Sequence, residues 1–196
     1  MGKPVKVFYD YVCPYCYIGI FTAKRLLKEF DLTFEWIGWQ IHSDTPREGK
    51  PRESMEFSFN LKRLAYDQNL TLRMPPFTPN THLPLQGAEY AKDKGLFPQY
   101  HDAVFDALWV QCKNIGDEKT LNNIAGSVGL DAKDFIEAIR SGAYEDRVYD
   151  DEQAEKADVQ YVPTFVFGGH RIVGNIPYST LWEAVKVYIL GYDSTI

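Results

Sequence analysis

Two cysteines separated by two residues, Cys13 and Cys16, have the clearest chemical potential in this sequence. They follow the apolar residues 5–9, which are typical of a buried strand, and precede an amphipathic segment over residues 18–30 that predicts a helix. The first amides of a helix lack internal partners and favour an anion, here a thiolate. Because the thiolate is the form of cysteine that attacks disulfides, the spacing predicts a redox dithiol at a strand-to-helix junction.

The residue between strand and helix that best supports this interpretation is Pro14. Proline fits the first turn of a helix, where its missing N–H costs no hydrogen bond. Cys13 is then expected to face solvent at the helix tip, where the helix N-terminus favours its thiolate. Cys16, one turn further along, is expected to be shielded yet close enough to form a disulfide with Cys13.

Three other interpretations of the cysteine pair remain open. A structural zinc site needs four ligands, and beyond the pair the sequence offers only Cys112 and the dispersed His42, His82, His101 and His170. A purely structural disulfide would close too short a loop to restrain the chain. The pair could also be two inert thiols placed by chance. We expect no metal site.

The composition excludes several classes of protein. The 196 residues are 45% hydrophobic and 24% charged, which is typical of a globular protein. A net charge of −6 gives no electrostatic basis for binding nucleic acid or an anionic membrane surface. No run is long and apolar enough to span a membrane, and the start of the sequence lacks a long apolar signal core. With only three cysteines, we expect a cytoplasmic protein.

Signals for β-strands occur only near the two ends of the sequence. Residues 32–38 alternate in polarity and predict a second strand, which gives a βαβ unit with a parallel strand pair. Near the other end, two apolar runs flank Gly168-Gly169 and predict a β-hairpin. Residues 54–142 show helix signals and no convincing strand. We therefore predict one sheet built from both ends of the chain and interrupted by a helical block.

Capping residues and charge predict several element boundaries. Ser54 is expected to cap the first helix of the block, and Cys112 to lie on the apolar stripe of a later helix. Residues 144–158 carry many acidic side chains and predict a single solvated helix. Thr180, followed by Glu183 three residues later, predicts a capping box at the start of the last helix.

The dipeptide Val162-Pro163 opens the first strand of the predicted hairpin. Proline has no N–H to donate and is expected at the start of a strand rather than inside it. A cis Val162–Pro163 bond is unusual in general, but it is expected here if this turn brings backbone against the dithiol.

These motifs together resemble a known family. The segment Cys13-Pro14-Tyr15-Cys16 on a βαβ unit, with Val162-Pro163-Thr164-Phe165 opening a hairpin and a last helix, resembles the thioredoxin fold, and the helical block makes the chain similar to the DsbA family. Residues 10–19 and the segment Asn80-Thr-His82 resemble its cytoplasmic FrnE-like branch. The resemblance implies an α/β fold, in which residues 1–45 and 145–196 form a thioredoxin-like domain and residues 46–144 an inserted all-helical domain.

The resemblance also implies residue roles and an activity. Cys13 would be the nucleophile, Cys16 the resolving thiol, and Pro163 the cis-proline lying against the dithiol. Val162 would offer backbone hydrogen bonds to a substrate segment added along a strand edge. The implied activity is thiol–disulfide exchange through a mixed disulfide, in the oxidase, reductase or isomerase direction, with proteins or small thiols as partners.

Two other functions remain open. The superfamily includes 2-hydroxychromene-2-carboxylate isomerases and kappa-class glutathione transferases, which typically have serine at the position of Cys13 and use glutathione as cofactor. Because this chain keeps both cysteines, we favour redox exchange without a cofactor, with glutathione as a candidate substrate or reductant. A non-enzymatic peptide-binding module is the other alternative. Pro14 and Tyr15, between the cysteines, are expected to contact the substrate.

Four further residues allow both a functional and a structural interpretation. Asp10 either accepts a proton from the resolving thiol or bonds backbone at the end of the strand, and we favour the backbone role. Cys112 is expected to be a buried hydrophobic residue rather than a regulatory thiol. His82 and His101 are expected to be loop or surface residues without a role.

Overall fold

The chain folds with strands at its two ends and helices between them. The computed structural model describes residues 4–174 and 176–192. In chain order the elements are β1 (Val5–Tyr9), α1 (Pro14–Glu29), β2 (Phe34–Gly38), β3 (Lys50–Pro51), α2 (Phe59–Asp67), β4 (Phe77–Thr78), α3 (His82–Asp93), α4 (Phe97–Trp109), α5 (Glu118–Ser127), α6 (Ala132–Arg140), a 3₁₀ turn (Glu145–Arg147), α7 (Asp151–Lys156), β5 (Thr164–Phe167), β6 (His170–Val173), α8 (Tyr178–Ala184) and a π-helical turn (Val185–Ile189).

A four-stranded mixed sheet joins the two ends of the chain. The strand order is β2-β1-β5-β6, with β1 parallel to β2 and antiparallel to β5. Strands β5 and β6 form an antiparallel hairpin around Gly168-Gly169, as predicted. Because β1 has a hydrogen-bonded strand on each side, the loop that follows it is fixed at the centre of the sheet.

Alternating side chains of β1 pack against helices on both faces of the sheet. Val7 lies in a buried cluster with Leu26 of α1 and Leu181 of α8. Phe8 points to the opposite face and packs with Ala154 of α7. Leu26 is fully buried, so its replacement by alanine should destabilise the fold by about 2–5 kcal/mol. This packing anchors the start of α1, where the cysteines lie.

The helical block packs directly against the loop after β1. A single buried cluster contains Phe105 and Trp109 of α4 and Phe135 of α6, and it continues to Tyr11 and Cys13. The block therefore contributes walls to the surroundings of the cysteines. None of the helices in the described part of the chain is long and apolar enough to cross a membrane.

One short strand interrupts the region in which no strand was expected. Strand β4 lies within residues 54–142 and pairs with β3 as an antiparallel ladder of two residues per strand. The segments that carry β3 and β4 share a further hydrogen bond, since Arg52 N donates to Pro76 O at 3.1 Å. Helix formation still dominates this region, as predicted, but β3 and β4 both lie within residues 46–144, so the predicted insertion is not all-helical.

The acidic segment 144–158 is not one helix. A 3₁₀ turn and α7 are separated at Tyr149, which forms a parallel bridge with Trp39 next to the end of β2. Tyr149 N donates to Gly38 O at 2.8 Å, and this contact holds the chain extended. Asp150 then starts α7 with a capping box. A contact with the sheet therefore prevails over the helical pattern.

Two predicted caps are also wrong. Ser58, rather than Ser54, caps α2 by accepting from Leu61 N at 3.2 Å, because residues 54–58 are not helical. Helix α8 begins at Tyr178 with Pro177 at its N-cap, so Thr180 already lies inside the first turn and forms no cap.

Candidate active site

The two cysteines lie at the N-terminus of α1. Cys13 is the N-cap residue with extended backbone, Pro14 opens the helix, and Cys16 lies in the first turn. Cys16 N donates to Cys13 O at 3.1 Å, so the helical hydrogen bonds begin at Cys13. Both residues are free thiols. Their spacing therefore places two thiols at the end of a helix where backbone N–H groups are unpaired.

The two thiols differ in exposure. Cys13 is 7% exposed and Cys16 is 2% exposed, so both are buried. The expectation that Cys13 faces solvent is wrong, because its side chain packs in the buried cluster with Tyr11 and Phe105, although it is the more exposed of the two. Burial raises the pKa of Cys16 well above the usual value, and the neighbouring Cys13 thiol adds to the increase. Cys16 is therefore held in its protonated form until a base accepts its proton.

The turn before β5 lies against Cys13. The Cys13 thiol donates to Val162 O at 3.5 Å, and the Val162–Pro163 peptide bond is cis. The Pro163 ring packs over α1, since a Cβ atom built on Gly19 would lie 3.8 Å from Pro163 Cγ. The structure thus brings Val162, 149 positions away in sequence, to Cys13, and packs Pro163 on the helix that carries the dithiol.

Asp10 is fully buried beneath the loop that carries Cys13. Its carboxylate accepts from Ile41 N at 2.9 Å and from Val12 N at 3.3 Å, which is the expected backbone role. Burial raises its pKa to about 6, and hydrogen bonds from Ile41, Thr81 and Val12 partly oppose the increase. Its charge also raises the pKa of Cys16, whereas a hydrogen bond with the Asp10 backbone lowers it.

Helix α4 holds the same loop from the other side. Trp109 Nε1 donates to Tyr11 O at 2.9 Å, and the Tyr11 hydroxyl lies 3.3 Å from His101 Nδ1. All three side chains are buried. The backbone two residues before Cys13 is therefore attached to the helical block.

His101 is not the surface residue that was expected. Its ring packs against Tyr9, Trp36 and Phe97 at centroid distances of 4.6 to 4.7 Å. Burial lowers its pKa well below the usual value, so it is neutral near pH 7. A signal was present in the sequence: His101 lies eight residues before Trp109 and so shares its side of a helix.

An exposed rim lies next to the dithiol. The hydroxyl of Tyr15 is 3.2 Å from Ser58 Oγ, which connects the motif to the N-terminus of α2. Met55 and Phe59 flank Ser58 and are exposed, as is Tyr161 next to Val162. Sequence reasoning did not identify Ser58, because only the fold brings it to Tyr15.

Cys112 and His82 occupy other surroundings. Cys112 is half-buried and follows the end of α4 with φ +53°, so it is not on the apolar stripe of a helix. Helix α4 ends at Trp109, before Cys112, because Arg73 N donates to Trp109 O at 2.7 Å. His82 Nε2 lies 3.6 Å from Glu145. Within residues 4–174 and 176–192, no group of three or more His, Cys, Asp or Glu side chains could hold a metal ion.

DsbA-type proteins are expected to have a dithiol at a helix N-terminus beside a cis-proline turn. Their sheet is expected to be built from two parts of the chain with a helical block between them in sequence. Sequence comparison agrees with this class. Residues 4–186 match the DSBA-like thioredoxin domain. The uncharacterised protein YwbO of Bacillus subtilis is 30% identical over 182 residues, covering 89% of this chain and 91% of that protein. The chain belongs to the DSBA-like thioredoxin domain family, as the sequence resemblance predicted. Its place in the FrnE-like branch stays a prediction.

Solved structures share the fold. A probable DsbA oxidoreductase from Streptomyces coelicolor superposes with a TM-score of 0.83 at 20% identity, covering 98% of this chain and 92% of that chain. A 2-hydroxychromene-2-carboxylate isomerase superposes with a TM-score of 0.74 at 18% identity, covering 93% of this chain and 94% of that chain. The cytosolic disulfide reductase DsbM from Pseudomonas aeruginosa, solved with GSH, superposes with a TM-score of 0.65 at 16% identity. The match covers 94% of this chain and 100% of that chain. The DsbA-like thioredoxin fold is confirmed.

Proposed function

We propose that this protein is a thiol–disulfide oxidoreductase that reacts through a mixed disulfide at Cys13. The observation that carries the proposal is the position of Cys13 at the N-cap of α1, with its thiol against the carbonyl of Val162 and Cys16 one turn away. The thiolate is the form of cysteine that attacks a disulfide, and the N-cap position places Cys13 beside the unpaired amides of the helix. The backbone of Val162, in the turn before β5, is the proposed hydrogen-bonding partner of an extended substrate segment.

In the first step the Cys13 thiolate attacks one sulfur of a substrate disulfide. A new S–S bond forms between Cys13 and that sulfur, and the other substrate sulfur leaves as a thiolate that takes a proton from solvent. Pro14 and Tyr15 lie between the two cysteines and border the approach of the substrate. The product is a mixed disulfide at the N-terminus of α1.

In the second step Cys16 attacks Cys13 Sγ and releases the substrate as a second thiolate. Cys16 must first lose its proton, and burial opposes this loss. Asp10 has a pKa raised to about 6, so at pH 7 its carboxylate is ionised and accepts that proton. Over both steps the substrate gains two electrons and two protons, and the dithiol becomes a disulfide. The reverse sequence oxidises a substrate dithiol.

The direction of exchange depends on the reduction potential of the Cys13–Cys16 pair. Known dithiol proteins of this kind differ by about 150 mV between thioredoxin and DsbA. We propose proteins or small thiols as partners, with glutathione as a substrate or reductant rather than a resident cofactor. We also propose the cytoplasm as the location, since three cysteines in 196 residues suit a reducing compartment.

A glutathione-dependent isomerase or transferase is the second candidate. The likeness of the fold to 2-hydroxychromene-2-carboxylate isomerase supports it. Retention of both cysteines supports exchange instead, because an isomerase of that type does not need a resolving thiol. A non-enzymatic peptide-binding module would need neither thiol.

Reduction of insulin disulfides with dithiothreitol as electron donor tests the proposal. The wild-type protein should accelerate insulin reduction, Cys13→Ser should abolish the acceleration, and Cys112→Ala should retain it. Retention of full activity by Cys13→Ser would refute the assignment. If Cys16→Ser instead keeps a glutathione-dependent isomerase activity without exchange, the second candidate is correct.

A further inference from the structure

The outer side of α2 is an exposed aromatic and basic surface. Phe59, Lys62, Arg63 and Tyr66 recur at positions i, i+3, i+4 and i+7 and therefore share one side of the helix. We call these four residues the α2 outer face. Phe59 and Tyr66 are each 83% exposed, whereas Leu61 on the opposite side is buried. The helix thus carries two mostly exposed aromatic rings on the side opposite to its buried side.

This arrangement is unusual for a helix of a globular protein. Large apolar side chains at this spacing normally form the stripe that packs on the core. Helix α2 already packs through Leu61 and Ala65. Because exposed aromatic surface is disfavoured in water, two rings on the outer side are typical of a binding surface.

The N-terminus of α2 contacts a residue of the dithiol motif. Ser58, the N-cap of α2, lies 3.2 Å from the Tyr15 hydroxyl. Phe59 and Tyr66 are seven residues apart, so the face extends about 10 Å along the helix from that end. On the other side of the cysteines, Tyr161 is 65% exposed next to Val162. A chain joined to Cys13 therefore has its flanking residues within reach of α2.

The charge of the α2 outer face is opposite to that of the whole chain. The chain carries a net charge of −6. Among the described residues neither Lys62 nor Arg63 forms an ion pair, and Arg63 donates to Asn60 Oδ1 instead. These two cations are complementary to a partner that carries carboxylates.

A cavity adjoins the same helix. It has a volume of about 570 Å³ and lies between α1, α2 and the start of α8. Phe21 and Leu64 give it apolar walls, and Arg25, Arg63 and Asp67 line it with charges of both signs. The cavity therefore does not share the positive charge of the outer face, and the docking surface is limited to the outer face itself.

We propose that the α2 outer face docks an acidic, apolar segment of a protein substrate whose disulfide reacts at Cys13. The inference rests on the proposed exchange activity and names its substrate class, a polypeptide rather than a small thiol. Phe59 and Tyr66 bury against apolar side chains of the segment, and Lys62 and Arg63 pair with its carboxylates. Small disulfides reach Cys13 without this surface.

Kinetics with three substrates test the docking surface. The substrates are a synthetic disulfide-linked peptide with Asp, Leu and Phe flanks, the same peptide with Lys in place of Asp, and bis(2-hydroxyethyl) disulfide. Both Lys62→Glu/Arg63→Glu and Phe59→Ser/Tyr66→Ser should lower kcat/KM for the acidic peptide by roughly tenfold or more and change it less than twofold for the small disulfide. Tyr192→Ser, at an exposed tyrosine beside Lys186 near the C-terminus, is the matched control and should change neither.

Binding without chemistry separates this inference from the proposed function. A fluorescein-labelled acidic peptide with serine in place of cysteine should bind the wild-type protein, and its Kd should rise by roughly tenfold in both double variants. If the wild-type protein binds this peptide but exchanges no disulfide, the proposed function fails and the docking surface stands.

Three results would overturn the docking surface. The first is equal kcat/KM for the acidic and the basic peptide in the wild-type protein. The second is an equal loss of activity on the small disulfide in the double variants. The third is a wild-type dimer in sedimentation that the double variants dissociate, which would make the occupant a second copy of the chain.

Discussion

The sheet and the helical block contribute different parts of the candidate site. The sheet and its connections carry the residues that the proposed mechanism uses, since Asp10 and Cys13 follow β1 and Val162 precedes β5. The helical block carries groups that hold or extend the site, namely Trp109 on the loop and Ser58 at Tyr15. The first set is placed by strands paired within one sheet, whereas the second depends on packing between distant segments. Changes in the sheet part should therefore alter the chemistry, and changes in the block should alter positioning and partner choice.

The largest effect outside the cysteines is expected from Asp10→Asn. Asparagine keeps an acceptor for Ile41 N but cannot take the proton of Cys16. Release of the substrate from the mixed disulfide should slow by about 100-fold at pH 7, whereas formation of the mixed disulfide should change little. Stopped-flow kinetics of the two steps provide the measurement. An equal slowing of both steps would mean that Asp10 acts only on the structure of the loop.

The same carboxylate should make stability depend on pH. Asp10 keeps its proton up to pH about 6 in the folded protein, whereas an unfolded aspartate releases it near 3.9. Between these two pKa values the folded state binds more protons than the unfolded state. The contribution of Asp10 to the free energy of unfolding is therefore fully present below pH about 4 and is lost as pH rises through about 6. The loss amounts to about 2–3 kcal/mol.

Urea unfolding of the wild-type protein and Asp10→Asn from pH 4 to pH 7 measures this contribution. As pH rises through this range, the free energy of unfolding of the wild-type protein should fall relative to that of the variant. A difference that stays constant with pH would show that Asp10 is not the group responsible.

In the helical block, Trp109→Phe should change the position of the loop that carries Cys13 more than the exchange reaction itself. The variant keeps an aromatic ring but leaves Tyr11 O buried without its donor, which costs about 1–3 kcal/mol. Phe105→Leu, on the same helix, is the matched control, since it alters packing without removing a hydrogen bond to the loop. Both variants should lower the urea midpoint, but only Trp109→Phe should change the rate of Cys13 alkylation. Equal alkylation rates would contradict a positioning role for Trp109.

The smallest effect is expected at the rim. Tyr15→Phe removes the contact with Ser58 Oγ, which is exposed and worth about 0.5–1.5 kcal/mol at most. Insulin reduction should change by less than about threefold. A loss comparable to that of Asp10→Asn would place Tyr15 among the reactive groups rather than at the rim.

The sequence predicts the sheet part of the site well because its signals are local. The cysteine spacing, the proline in the first turn and the Gly168-Gly169 hairpin each depend on neighbouring residues, and each lies where it was expected. The position of Val162 against Cys13 followed from family resemblance rather than from local pattern.

The positioning part of the site could not be predicted in the same way. The bond from Trp109 to Tyr11 joins residues 98 positions apart, and no local pattern encodes it. The position of His101 on the side of Trp109 was a local signal, but its neighbours Tyr9 and Trp36 come from strands distant in sequence. The break at Tyr149 likewise depends on a bridge to Trp39. Tertiary contacts decide these features, and sequence patterns within one segment do not report them.

The central claim is that Cys13 forms the mixed disulfide and Cys16 resolves it. Mass spectrometry of Cys16→Ser after reaction with a disulfide-linked peptide tests this claim most directly, since the variant cannot complete the second step. The account predicts one peptide per chain, attached to Cys13 and removed by dithiothreitol, with Cys112 unmodified. A peptide attached to Cys112, or no adduct at Cys13, would contradict it.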